Sequence, residues 1–186
     1  MIWSIFKRNQ KEEGQGIEVY LLDAFESFEN GNYEEASQRF GVISGAFPEH
    51  PIAHLMLGRC YVELNVYSQA IMAFLQHLRI YPDSTEALIY LGLTYYECGE
   101  YQRAEERFEE ALALGRDSEL IRENLAVVRL EAGEIEAAID DLVALHNKHP
   151  NDKQILETLI LAFGRGGKWD AAKQYAGKLG MAVNPD

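Results

Sequence analysis

The chain has 186 residues, of which 47% are apolar and 25% charged, and a formal net charge of −13. That is apolar material enough for a sizeable core, and the acidic balance argues against a nucleic-acid or anionic-lipid surface while favouring basic partners. No apolar run approaches the ~18–20 residues of a membrane-crossing helix, and two cysteines, Cys60 and Cys98, provide neither a disulfide framework nor a metal-ligand spacing.

Residues 1–16 form an apolar and basic segment, with Trp3, Ile5 and Phe6 ahead of Lys7 and Arg8. A secretory leader has the reverse order and a longer apolar stretch, so the expected compartment is cytoplasmic. Three apolar side chains are costly to leave in water. The segment is expected to cap the fold, to dock in a groove of the same or a neighbouring molecule, or to touch a membrane surface.

From residue 17 onward one period governs the sequence. Ala36, Ala70, Ala104, Ala138 and Ala172 are 34 residues apart, as are Gly31, Asn65, Gly99, Gly133 and Gly167, and Tyr33, Tyr67, Tyr101, Ile135 and Trp169. Pro48, Pro82 and Pro150 keep the same frame. The frame divides the chain into units 17–50, 51–84, 85–118, 119–152 and 153–186. In each unit about fourteen residues with helical periodicity precede a break, and a second amphipathic helix of about thirteen follows. Gly, and less easily Asn, supplies the left-handed conformation that ends the first helix. The alanine early in the second helix lets two antiparallel helices approach closely.

The second unit reads His54-x2-Leu57-Gly58-x2-Tyr61, then Ala70, Phe74 and Pro82. The third reads Leu88-x2-Leu91-Gly92-x2-Tyr95, then Ala104, Phe108 and Ala111. The chain thereby resembles the tetratricopeptide repeat family. The other units depart from the pattern: Asp23-Ala24 stands for Leu-Gly in the first, Ala126 and Arg129 for Gly and Tyr in the fourth, Ile160 and Phe163 in the fifth. The resemblance implies an all-α, right-handed superhelical α-solenoid of five helix–turn–helix repeats, with first helices on the concave side and second helices outside. The place held by Cys60, Thr94, Val128 and Ala162 should face the preceding repeat; Glu26 holds it in the first. Lys173, Gly177 and Gly180 mark the last helix as a terminal cap, where the second unit has Ile71, Leu75 and Leu78 to receive a neighbour.

Projected by period, the concave groove is lined by Leu21, Leu22, Phe25 and Phe28, by Ile52, Leu55, Met56, Arg59 and Val62, and by Ile89, Tyr90, Leu93 and Tyr96. Leu120, Glu123, Asn124, Val127, Leu130 and Leu161 continue it. Glu29, Glu63, Glu97 and Glu131 form an acidic edge beside this stripe, with Arg165 ending the series. One subset of the family grips acidic C-terminal tails with Lys, Asn and Arg on the inner helices. Here those places hold Leu21, Phe25, Met56, Glu86 and Tyr90, so that clamp is missing.

Nothing points to catalysis, a metal or a cofactor: no phosphate loop, nucleophile elbow or zinc signature occurs. His146 and His149 are read as surface residues and His77 as a local disturbance of packing. Glu105, Glu106, Glu109 and Glu110 are read as exposed, solubilising charge. The expected function is an adaptor or assembly factor that binds an apolar, amphipathic or basic segment of another protein. The alternatives are a scaffold that self-assembles through residues 1–16, making a homo-oligomer, and a chaperone for apolar secreted proteins.

Overall fold

The computed structural model of the protein describes residues 13–115 and 119–181. Among the described residues there are ten helices and no strand: α1 Glu13–Glu29, α2 Tyr33–Ala46, α3 Ala53–Glu63, α4 Tyr67–Ile80, α5 Thr85–Glu97, α6 Tyr101–Ala113, α7 Glu119–Ala132, α8 Ile135–Lys148, α9 Lys153–Arg165 and α10 Trp169–Lys178. The fold is an all-α solenoid of helix–turn–helix repeats. Even-numbered helices begin at Tyr33, Tyr67, Tyr101, Ile135 and Trp169, the 34-residue step of the sequence. Before each, the break residue has left-handed backbone, with φ of 77° at Gly31, 58° at Asn65, 73° at Gly99, 87° at Gly133 and 69° at Gly167. Asn65 pays the small steric penalty that glycine avoids. α1 starts at Glu13, ahead of residue 17; Trp3, Ile5 and Phe6 lie outside the described residues.

Contacts divide the chain into two units, with the division inside α5: unit 1 runs to Tyr90 and unit 2 starts at Leu91. In unit 1, Ala24, Ala36, Phe40, Ile43, Ala53, Met56 and Cys60 form a buried cluster, with Leu21, Phe25 and Phe28 packed against it. In unit 2 the corresponding cluster includes Ala126, Leu130, Ala138, Leu142, Leu145, Leu159, Ala162, Phe163 and Ala172.

The Leu-Gly pattern has a steric cause. A Cβ on Gly58 would stand 2.5 Å from the Phe74 ring, and one on Gly92 would stand 2.9 Å from Phe108. Both rings are fully buried. Where the small place is Ala24 the large one is still Phe40; where it is Ala126 the partner place shrinks to Leu142; where it is Ile160, to Ala176. In the fourth and fifth repeats volume thus moves from one helix to the other at near-constant total, while the first repeat carries one methyl group more.

Cys60, Thr94, Val128 and Ala162 are all buried, whereas Glu26 is exposed. At the far end Lys173, Gly177 and Gly180 are exposed. Leu75, expected to receive a neighbour, stays 45% exposed, while Ile71 and Leu78 are half-buried.

Two charge assignments change. Arg129, at the consensus Tyr place, donates through Nε to Glu105 at 2.7 Å, through Nη2 to Glu109 at 2.7 Å and through Nη1 to Asp141 at 2.6 Å. Glu105 is therefore a largely covered structural partner and not exposed charge, whereas Glu109 also pairs with Arg129 but stays exposed as expected. A guanidinium has five donors in a fixed fork, which lets one side chain fasten three carboxylates from α6 and α8. His146 is buried, not on the surface. It stacks edge-on against Tyr175 and its Nε2 lies 3.0 Å from Lys178 Nζ. His149, three residues on, is exposed and reaches Glu119 at 2.7 Å. The two rings do not share a site.

Candidate functional site

On unit 1 the candidate surface is built by α1, α3 and the first part of α5. Arg59 is its centre. The guanidinium stands 4.9 Å from the centroid of Phe28 on α1 and 5.1 Å from that of Tyr90 on α5, and Nη1 donates to Met56 Sδ at 3.4 Å. Tyr90 stacks in parallel on the buried Phe74 ring at 5.8 Å. Phe28 meets Tyr33 edge-on at 5.3 Å, and Phe25 meets Phe40 edge-on at 5.3 Å. Phe25 and Tyr90 are thus anchored on buried rings and Phe28 on Tyr33, while all three stay partly exposed. Edge-to-face and cation–π contacts fix these rings in place without burying them.

The expected lining residues separate into two groups. Phe25, Phe28, Arg59, Ile89 and Tyr90 remain partly exposed, as do Leu21 and Val62, and Leu22 is 68% and Ile52 37% exposed. Leu55 and Met56 do not line an open groove: they are 8% and 4% exposed. Met56 lies on one helical stripe with Ala53 and Cys60, three and four residues away, and that stripe enters the core. Leu55 instead borders an open cleft of about 520 Å³ that also involves Ile52, His77, Ile80, Tyr81 and Glu86.

His77 is buried beside this cleft. Its Nε2 lies 2.9 Å from Ser84 Oγ, and Tyr81 tilts against the ring at 5.2 Å. Nδ1 has no hydrogen-bond partner among the described residues. Burial, with His54 nearby, holds the imidazole below its ordinary pKa range and so keeps it neutral. Sequence reasoning missed this pairing because Ser84 is seven residues away, across the end of α4.

Unit 2 has its own face. Leu93, Tyr96, Glu123, Asn124 and Val127 are half-buried, and Leu120 and Leu161 are 57% and 48% exposed. Leu130 is buried in the core and does not line this face. Burial, then Asp152 and Glu119, pushes the Glu123 carboxyl up. Burial likewise raises the Tyr96 hydroxyl, helped by Glu131.

Of the acidic edge, Glu29 and Glu63 on unit 1 and Glu97 on unit 2 are exposed. Glu131 is half-buried and pairs with Arg165 Nη2 at 2.9 Å. Arg165, which interrupts the acidic series in sequence, neutralises its last rung in space. Among the described residues no group of three or more His, Cys, Asp or Glu side chains is placed to hold a metal ion, and no helix is long and apolar enough to cross a membrane.

Two family models, both described as tetratricopeptide repeat, match residues 27–88 and 85–118. No curated protein matches the chain in sequence. Among solved structures it is similar to a MamA protein, with 21% identity and a TM-score of 0.79 over 92% of this chain and 100% of that one. It is similar also to MamA, residue 41 to the end, from Desulfovibrio magneticus RS-1, with 17% identity and a TM-score of 0.82 over 87% and 92%. YrrB, described as a TPR protein with an unusual peptide-binding site, gives 16% identity and a TM-score of 0.74 over 86% and 82%. At these identities the likeness is one of fold. The matched repeats and the helix–turn–helix frame around them place this chain in the tetratricopeptide repeat family, whose members act in general as protein-interaction adaptors.

Proposed function

We propose that the chain is an adaptor or assembly factor whose unit 1 inner face receives an apolar or amphipathic segment of another protein. The observation that carries this reading is the row Phe28, Arg59 and Tyr90, contributed by α1, α3 and α5. Ring contacts hold this aromatic surface in place and leave it partly exposed, with Leu22 and Ile52 more exposed still. A soluble surface seldom leaves contiguous apolar area of this kind without a use. Fully covering a large apolar side chain contributes about 1.5–3 kcal/mol, so three or four such anchors hold a segment even after its ordering cost. Because the rings are already fixed, little rotamer freedom is lost on binding. The fold it shares with YrrB, a repeat protein with a peptide-binding site, supports the same reading. The Leu93, Tyr96, Glu123, Asn124 and Val127 face of unit 2 is the corresponding surface on the other half of the chain.

The test is a pull-down of partners with wild-type protein against the Phe25→Glu, Tyr90→Glu double variant, read by mass spectrometry. Loss of specific partners, with helical content unchanged, is expected. Equal recovery by both proteins rejects the surface.

A further inference from the structure

Arg59 stands in the middle of an apolar face, and no carboxylate pairs with it among the described residues. Arg39, Arg103, Arg107, Arg129 and Arg165 each reach a carboxylate at 2.9 Å or closer. Among the described residues Arg59 makes ring contacts to Phe28 and Tyr90 and a weak bond to the Met56 thioether. Glu63, one turn further along α3, and Glu29 on α1 are both exposed, and neither pairs with it. Of the five N–H donors of the guanidinium, the Met56 thioether takes one on Nη1, and the others suit a carboxylate, which a guanidinium can bind with two parallel bonds. A charge left unpaired on a partly desolvated surface is stabilised most by a ligand of opposite sign.

We infer that the segment received by unit 1 carries an acidic side chain between apolar residues, and that Arg59 binds this carboxylate through its N–H edge. This rests on the groove reading proposed above and names the partner's chemistry. The surroundings restrict that chemistry. With a net charge of −13 and Glu29 and Glu63 on the rim, a strongly acidic segment is repelled. One carboxylate set among apolar residues meets Arg59 and avoids the rim. The acidic edge and the single cation then act together: they reject acidic runs and fix the register of a segment with one acidic residue.

The experiment uses the full chain and a displayed library of random twelve-residue peptides. Selected peptides are synthesised with amidated C-termini and their affinities measured. The expected result is enrichment of one Asp or Glu flanked by apolar residues. Changing that residue to Gln or Asn in the peptide then weakens binding to wild-type protein by ~10–100-fold, and has no further effect on Arg59→Gln protein. The peptide-side change needs no protein variant, so the test survives misfolding of Arg59→Gln. Peptides that lose binding to Phe25→Glu, Tyr90→Glu protein, yet lack an acidic residue or ignore its removal, overturn the role of Arg59 and leave the groove standing. Peptides that need a free C-terminal carboxylate overturn the side-chain assignment. Failure to select any peptide sensitive to Phe25→Glu, Tyr90→Glu overturns both readings.

Discussion

The Cβ that Gly58 lacks would lie 2.5 Å from the ring of Phe74. The glycine on α3 and the fully buried ring on α4 therefore specify one another: the ring fills the space a side chain would take. Gly58→Ala should destabilise the protein by up to about 2 kcal/mol, the balance of an overpacking cost of roughly 1–3 kcal/mol against the ~1 kcal/mol that alanine adds to a helix. Adding Phe74→Leu recreates the Ala126 and Leu142 combination of the fourth repeat. The double variant should recover at least ~1 kcal/mol relative to the sum of the two single changes. Urea denaturation of the four proteins measures this; strict additivity would contradict the steric account.

Arg129→Ala should cost about 2–3 kcal/mol, near the lower end for breaking a buried pair, because it leaves Glu105 and Asp141 with little solvent and no cation. Their side chains are 15% and 19% exposed. The surface pair Arg103 with Glu100 is the control, and Arg103→Ala should cost under ~1 kcal/mol. Equal costs in thermal unfolding would show that the three-carboxylate contact contributes nothing beyond an ordinary surface pair.

Stability should fall as pH drops below about 6.5. His77 is held below the usual histidine range, first by burial and then by His54; burial also lowers His54, and burial with Lys178 lowers His146. A base with a depressed folded pKa takes up protons more readily when unfolded. Its contribution is complete above the unfolded value and is lost as pH falls toward the folded one. Glu123, pushed up by burial, works in the opposite sense. The urea midpoint should therefore be lower at pH 5.5 than at pH 7.5, and His77→Asn should narrow the difference. An unchanged difference in His77→Asn would remove His77 from this account.

Only one native thiol should react with a disulfide reagent at pH 8. Cys98 is exposed, while burial pushes Cys60 up to about 12 and shields it. Partial burial, with Glu100 and Glu97 nearby, also raises Cys98, so its labelling should be slower than that of free cysteine. Cys98→Ser should leave no reactive thiol until the chain is denatured. Labelling of native Cys98→Ser would show that α3 opens readily.

The fold was legible because its markers recur: Gly31, Asn65, Gly99, Gly133 and Gly167 share one backbone conformation, and Ala36, Ala70, Ala104, Ala138 and Ala172 occupy one close approach. The face was only partly legible. Period places Met56 and Tyr90 at equivalent positions, but a flexible thioether enters the core while a phenol stays partly exposed. Contacts that depart from the repeat are invisible to periodicity. Arg129 gathers carboxylates 24, 20 and 12 residues away, and Arg165 reaches Glu131 34 residues back. Such pairings follow from side-chain reach, which no frame of equivalent positions encodes.

Stacked helices usually accommodate a ligand by sliding a little along one another. The guanidinium of α7, fastened to α6 by two bonds and to α8 by a third, blocks that freedom locally. A one-turn slip of either neighbour would carry a carboxylate about 5.4 Å from its donor and strand it. This stretch of unit 2 is thus latched against a one-turn slip, and side-chain rotation costs less there than movement of the backbone.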